Sequence, residues 1–586
     1  MEKNNDLNNL RHSAAHLLAA AVMELYPNTK HTIGPVIDEG FYYDFDFASP
    51  ISENELGKIE DKMRLLAPTW NKFERREVSP EEAKKMFADN PFKLELIEEI
   101  IKAGQKISLY TAGNFTDLCR GGHTDNPGQD LQHFKLLSLA GAYWRGDEKN
   151  KMLTRIYGTA FATADEMNVY LNNLEQSKKR DHRKIGKEME LFTFDDLVGK
   201  GLPLWLPNGT IIKNEIEKLA IEMENADGYQ RVSTPHMAKE PLFQMSRHLP
   251  YYKDSMYPAM QMDDGTYYLK PMNCPHHHLI YLSKPRSYRD LPVRLAEYGT
   301  CYRNELSGAL AGLLRVRMLS MNDGHIYVRA DQIEEEVAKV MQLTQKYFQL
   351  FGLNDYWFRL SLWDPAHKEK YIDQPENWSM TEDILRQLLK KMNVKFEEVS
   401  DEAAFYGPKI DVQFRSVIGR EESMSTIQLD FLAKERFHLS YTDSTGALNN
   451  QVFVIHRAPL STHERFLCFL IEHYAGNFPL WLAPIQVILL PVSDKFTESA
   501  HKLAANWKAQ GIRVTIDDGN ETLGNRIRKA AGQKIPYQIV LGQKEVDGGD
   551  LQVRIRGQEQ LVNIESEALL NKLRELITGR SGELKL

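Results

Sequence analysis

The segment CYRNELSGALAGLLRVRMLSMNDGH, residues 301–325, sets Arg303 and Glu305 ahead of a Gly/Ala-rich loop and returns through Arg315 and Arg317. Two arginine-bearing segments around a flexible hairpin suit a polyanion, although a solvated β-ribbon would carry the same residues. The flanking chain decides between them. From Arg294 to about Arg457 strand-like runs dominate. In STIQLDF, residues 425–431, Thr426, Gln428 and Asp430 fall on one face and Ile427, Leu429 and Phe431 on the other. Such a strand floors a polar cleft while its back packs into a core. Upstream, Ile212, Ile216, Leu219 and Met223 form a helical stripe stopped by Gly228, and a short strand ending at Pro235 is expected next. Downstream, QVFVIHRAPL leads into STHERFLCFLIEHYAG, which reads as an amphipathic helix carrying Arg465.

Composition bounds the possibilities. A chain of 586 residues exceeds the roughly 250–300 at which single cores stop growing, so several domains are expected. Apolar content of 42% and charged content of 26% are ordinary for soluble protein, and no apolar run is long enough to span a bilayer. The start lacks the layout of a secretory signal. Four scattered cysteines without a C-x-x-C pair argue against a disulfide framework and for a reducing, cytoplasmic setting. A net charge of -8 gives no global nucleic-acid signature, so such a partner must meet local basic patches.

The basic stretch SKKRDHRKIGKEMELF, residues 177–192, reads as a helical connector. GFYYDFDF, residues 40–47, is aromatic-rich as a buried strand would be. After PLWLAP, strand and helix alternate as in a compact α/β domain with a mainly parallel sheet. These readings divide the chain into 1–177, a linker 178–192, 193–484 and 485–586.

The hairpin, the helix ending in GYQRVSTP, the polar-faced STIQLDF and HERFLCF together resemble the three ordered motifs of class II aminoacyl-tRNA synthetases. KPMNCP, RVRMLSMNDGHIY, AFYGPKIDV, IHRAPL and FPLWLAP narrow the resemblance, over nearly all of the chain, to the bacterial threonyl-tRNA synthetases. The resemblance implies an α+β multidomain protein: an N-terminal editing domain, an antiparallel class II core and a C-terminal α/β anticodon-binding domain. It implies that L-threonine and ATP form threonyl-adenylate and that the threonyl group passes to tRNA(Thr), in a homodimer whose interface is built by the helix before Pro235. Carboxylate attack on a phosphate brings anions together, so catalysis is mainly positioning and charge stabilisation. By the motif match Arg303 bridges carboxylate and α-phosphate, Glu305 accepts from the adenine amine, and Arg315 and Arg465 hold phosphates that carry Mg²⁺. Arg317 is read as structural.

Cys274, His325 and His456 are too far apart in sequence to form a spacing motif. The resemblance makes them ligands of one Zn²⁺ per subunit, with an open position for the amine and hydroxyl of threonine. Asp323, Tyr406 and Gln428 would line the same pocket. An apolar pocket separates a hydroxyl from an isosteric methyl by only roughly 10²-fold, whereas a metal requiring the hydroxyl rejects valine strongly. Serine lacks only a methyl, worth about 1–3 kcal/mol, so a second, hydrolytic site is needed.

RHSAAH puts His12 and His16 on one helical face, and TDLCRGGH adds Asp117, Cys119 and His123. H-x₃-H with C-x₃-H also reads as zinc chelation; the resemblance favours an editing centre that hydrolyses seryl-tRNA(Thr). At the other end Asn520, Lys534, Glu545 and Arg554 match anticodon-contacting positions, with lysine at 534 where arginine is usual. The pattern departs elsewhere. Met321 stands for glutamine, Asn322 for an acidic residue, and Ser425, Ser461 and His276 for glycines. The editing helix begins near residue 10, so the ubiquitin-like domain usual in full-length relatives is expected to be missing. Two other readings are a tRNA-binding or regulatory relative without ligase activity and a class II ligase for serine or proline. Retention of Arg303, Glu305, Arg465 and the three zinc ligands disfavours the first, and the Cys274/His325/His456 set with the N-terminal editing residues disfavours the second.

Overall fold

The return strand of the opening hairpin, Met318–Val328, lies third in an eight-stranded sheet. In order across the sheet the strands are Gln230–Arg231, Val293–Tyr302, Met318–Val328, Phe453–Ala458, Glu421–Asp430, Lys409–Arg415, Tyr356–Ser361 and Phe396–Val399. The inner pairings are antiparallel, and the two edge pairings are parallel. The computed structural model describes residues 2–586 apart from Lys368, Val417, Ile418 and Arg420, and their side chains apart from those of residues 2–5 and 250. Contacts divide the chain into two compact units, Met1–Glu175 and Gln176–Leu586.

In the second unit the alternation of residues 425–431 becomes a two-faced strand. Ile427, Leu429 and Phe431 are buried in one core with Ile212, Ile216 and Leu219 of the helix Pro207–Ala226 and Val337, Val340 and Met341 of the helix Ile333–Leu350. The helix Pro207–Ala226 is also tied to the sheet by charge. Glu224 pairs with the fully buried Arg457 at 2.7 Å and accepts from Asn322 Nδ2 at 2.9 Å and Arg231 Nη1 at 3.0 Å. Asparagine at 322 thus donates where a carboxylate would oppose Glu224.

Four sequence expectations need correction. The helix His463–Tyr474 is not amphipathic: every residue from 463 to 471 is buried except Arg465, because the helix is packed on nearly all sides. The connector is not one helix. The helix Ala164–Arg180 ends at Asp181, whose carboxylate accepts from Arg183 N at 2.8 Å and starts a second helix, His182–Glu188. The strand expected to end at Pro235 stops at Arg231. The sheet near the C-terminus is mixed. Val487–Pro491 pairs in parallel with Val514–Ile516 and Tyr537–Leu541, but Leu551–Ile555 and Leu561–Ile564 add antiparallel strands through short connections. A parallel return needs a crossover of a dozen or more residues, which these links lack.

In the first unit the aromatic strand Gly40–Asp46 lies inside an antiparallel five-stranded sheet. The alanine-rich helix Glu2–Leu25 packs on it, with Ala14, Ala15, Leu18 and Val22 buried against Phe41, Tyr43 and Phe45. Among the described residues no helix is long and apolar enough to cross a membrane.

Candidate functional site

Sheet register assembles the first centre. His325 lies opposite His456, and His456 lies opposite Gln428, so residues from three strands form one row. The helix Cys274–Leu282 brings Cys274 to the same point. The ligand atoms of Cys274, His325 and His456 all lie within 4.8 Å of one another, and all three residues are buried.

The protons around this row admit one consistent arrangement. His456 Nε2 is 3.1 Å from Asp430 Oδ2, so it donates and leaves a lone pair on Nδ1. His325 Nδ1 is 2.8 Å from His277 Nδ1, and His277 Nε2 approaches Glu297 Oε1 to 3.3 Å. Protons directed along this chain toward Glu297 free His325 Nε2. That lone pair then faces His456 Nδ1 across 3.0 Å. Two lone pairs and a thiol converging in a buried place fit a cation, and outer partners of this kind fix tautomers at metal sites. Burial, reinforced by the Asp323 and Asp430 carboxylates, pushes the Cys274 thiol well up, and burial, reinforced by His456 and His277, pushes the His325 imidazole well down.

A cavity of about 780 Å³ joins this row to the opening hairpin. Arg303, Glu305, Arg315 and Arg465 line it together with Asp323, Tyr406 and Gln428. Arg315 Nε lies 3.2 Å from Glu305 Oε2. The Thr462 hydroxyl caps the helix at Arg465 N, at 3.1 Å, and Arg465 Nη1 reaches Ser423 O at 3.4 Å. Asn273 donates to Asp323 at 3.0 Å, Tyr406 donates to Gln428, and burial raises the Asp323 carboxyl. Arg317 instead donates to Glu305 O at 3.0 Å and to Lys200 O, bracing main chain. The departures cluster here as well. Met321, Ser425 and Ser461 line the cavity, and Ser461 keeps the φ of +53° that favours glycine.

A second centre lies in the first unit, where His12, His16, Cys119 and His123 have ligand atoms within 4.8 Å of one another. Gly121 and Gly122, at φ of +106° and +84°, turn the CRGGH loop back on the helix, and His12 Nδ1 donates to Gly122 O at 3.1 Å. Cys119 Sγ lies 3.6 Å from His12 Nε2 and 3.3 Å from His123 Nε2. Burial lowers His16 to about 3 and, with His16 and His12 nearby, His123 to about 2; it raises Cys119 to about 11. The centre therefore holds neutral imidazoles and a thiol.

Sequence reading missed the groups around Asp117. Lys93 forms a buried ion pair with it, the Tyr43 hydroxyl donates at 2.5 Å, and His31 Nε2 lies 3.3 Å away. Burial opposes ionisation of Asp117, but Lys93 and His31 outweigh it and hold the carboxyl far below its ordinary range. No spacing signal ties Lys93 or His31 to Asp117. His248 was missed too: it is buried beside Cys274 and Tyr406, with Nδ1 2.8 Å from Ser246 Oγ and Nε2 without a partner among the described residues. Burial, aided by Arg303, lowers it to about 4. Asn520, Lys534, Glu545 and Arg554 share no hydrogen bond or ion pair among the described residues. Glu545 accepts from Gly542 N at 2.9 Å, and Lys534 occupies a turn at φ +60°.

Three family models match the chain: the tRNA synthetase class II core domain (G, H, P, S and T) over residues 257–474, the anticodon binding domain over 486–576, and the threonyl and alanyl tRNA synthetase second additional domain over 107–157. Threonine–tRNA ligases of Staphylococcus aureus strains JH9 and Newman are 49% identical over 563 residues, covering 96% of this chain and 87% of theirs. The chain belongs to the threonine–tRNA ligase family. Among solved structures, the RNA binding domain of threonyl-tRNA synthetase from Cryptosporidium parvum Iowa II matches with a TM-score of 0.64 at 32% identity, covering 67% of this chain and 98% of that one. The putative threonyl-tRNA synthetase ThrRS-1 from Aeropyrum pernix matches with a TM-score of 0.61 at 27% identity, covering 70% and 97%. Membership of the threonine–tRNA ligase family makes the antiparallel sheet the class II core, the 486–576 segment its anticodon-binding part and residues 107–157, which carry Asp117, Cys119 and His123, part of its second additional domain.

Proposed function

We propose that the chain activates L-threonine with ATP, transfers it to tRNA(Thr) and hydrolyses seryl-tRNA(Thr) in its N-terminal unit. One observation carries the reading: a single cavity is lined both by Cys274, His325 and His456 and by Arg303, Arg315 and Arg465. The first set suits an amino acid with an amine and a hydroxyl; the second suits a triphosphate with its Mg²⁺. Zinc, when bound by Cys274, His325 and His456, supplies a Lewis acid that selects a β-hydroxyl over a methyl. Asp323 accepts from that hydroxyl, while Tyr406 and Gln428 bound the side-chain pocket. Arg303 bridges the reacting carboxylate and α-phosphate, Glu305 reads the adenine amine, and Arg315 and Arg465 hold the outer phosphates.

In the N-terminal unit, His12, His16 and His123 remain neutral near pH 7 and accept from a water placed beside Cys119. Lys93 and Asp117 stay paired beneath them. A second reading, a metal there, is favoured by the lone pairs of His12 and His123 that converge on Cys119. Counting zinc decides: one ion per chain supports water activation without metal, and two support the second reading. Asn520, Lys534, Glu545 and Arg554 contact the anticodon; the helix Pro207–Ala226 contributes to a homodimer interface; the domains run 1–177, 193–484 and 485–586 with a helical linker over 178–192; four free cysteines suit a cytoplasmic setting.

The test is ATP–pyrophosphate exchange across the twenty amino acids. Exchange should be strong with threonine, weak with serine and absent with valine. Exchange driven by another amino acid, or by none, overturns the proposal.

A further inference from the structure

The hairpin loop that carries Arg315 is held from outside the cavity by one imidazole. Leu313 N donates to His182 Nε2 at 3.1 Å, and His182 Nδ1 lies 2.9 Å from Glu472 Oε1. A neutral imidazole has one proton. Because Nε2 accepts from Leu313, that proton sits on Nδ1 and is donated to Glu472. Cys468 Sγ also donates to Glu472 Oε1, at 3.9 Å.

His182, Cys468 and Glu472 lie close enough together to hold a metal ion. The proton assignment removes that option. A metal on Nδ1 would force the proton onto Nε2, where it would oppose the Leu313 N–H. The cluster is a brace with a single direction.

What the brace connects gives it meaning. Glu472 lies seven residues, close to two turns, after Arg465 on the helix His463–Tyr474, so both project from similar faces. On the other side Leu313 is fully buried, and the turn that contains it, closed by Leu314 N to Ala311 O at 2.9 Å, leads directly into Arg315. Gly312, at φ +53°, allows the approach: a methyl there would stand 2.2 Å from His182 Nε2. Arg180, two residues before His182, donates to Glu472 O at 3.2 Å and His473 O at 2.9 Å, fixing the connector to the same helix end.

We propose that His182 is a positioning residue for adenylate formation, its imidazole clamping the Gly312–Leu313 bend to the Arg465 helix and so setting Arg315 and Arg465 at one spacing across the ATP phosphates. The proposal rests on the ATP site described above. It makes the connector helix part of the ATP-binding apparatus, without contact to substrate.

The test measures KM for ATP and for threonine separately in pyrophosphate exchange, with thermal unfolding alongside. His182→Ala should raise the KM for ATP about tenfold or more while leaving that for threonine unchanged, since small misplacements of positioning groups carry penalties of this order. His182→Gln should recover most of the loss, because its amide accepts from Leu313 N and donates to Glu472. Gly312→Ala keeps every polar group of the brace but strains the left-handed bend and pushes it off the imidazole, so it should reproduce the ATP effect. It therefore remains decisive if His182→Ala does not fold. An unchanged KM for ATP in Gly312→Ala, equal shifts in both KM values, or no recovery in His182→Gln would overturn the brace. Absence of threonine-dependent exchange in the unaltered protein would instead overturn the assignment of the cavity.

Discussion

Asp430 is the informative place to perturb the metal centre, because its carboxylate works on two sides at once. Oδ2 accepts from His456 Nε2 at 3.1 Å, and Oδ1 accepts from Leu432 N at 2.7 Å and Ala433 N at 2.9 Å. Asp430→Asn conserves shape but supplies only one acceptor oxygen. If the oxygen stays on Leu432 and Ala433, the amide N–H₂ meets His456 Nε2–H. The imidazole then either faces a donor or moves its proton to Nδ1, which removes the lone pair directed at His325. Loss of such an outer partner is expected to weaken zinc binding about 10- to 100-fold, or about 1.4–2.7 kcal/mol. If the amide turns over, zinc affinity is kept, but two buried N–H groups lose their acceptor, at a stability cost of about 1–3 kcal/mol each. The assay is competition for zinc with a chromophoric chelator, paired with thermal unfolding of the metal-free protein. A variant with unchanged zinc affinity and unchanged metal-free stability would refute the tautomer argument.

Three further outcomes are expected. His12→Ala with His16→Ala should let seryl-tRNA(Thr) accumulate while threonylation continues; unchanged hydrolysis would reject the N-terminal centre. That unit should also be acid-labile. His16 is lowered from about 6.5 to about 3 by burial, so between those values the unfolded chain binds more protons than the folded one. Its contribution is fully present above about pH 6.5 and lost as pH falls toward 3, which unfolding of the chain followed by a signal from Tyr43 or Trp70 would register; a flat profile would contradict it. Arg554→Ala should weaken threonyl-tRNA formation about 10-fold or more with exchange intact, at about 1–3 kcal/mol for a lost specific contact, and equal loss of both would argue against anticodon reading.

Much of the scaffold was legible from local pattern. The alternation of residues 425–431 marked which side of the strand meets the core, and the stripe through Ile212, Ile216 and Leu219 marked the buried face of its helix. The amphipathic reading of residues 463–474 failed because periodicity reports one apolar face and cannot register a helix enclosed on the others. The mixed C-terminal sheet was missed because strand direction depends on connection geometry rather than on strand composition.

By itself, then, the sequence determined most of the elements, the apolar faces of those with a clear period, the arginine-bearing hairpin and, through ordered motifs, the family. Tertiary structure alone decided which distant groups meet. His325 and His456 are 131 positions apart and face one another only through strand register. Lys93 reaches Asp117, His277 reaches His325, and His182 reaches Leu313 in the same way. The physical reason is that a two-residue strand period says which face a side chain takes but not which partner stands beside it; pairing over long separations makes that choice.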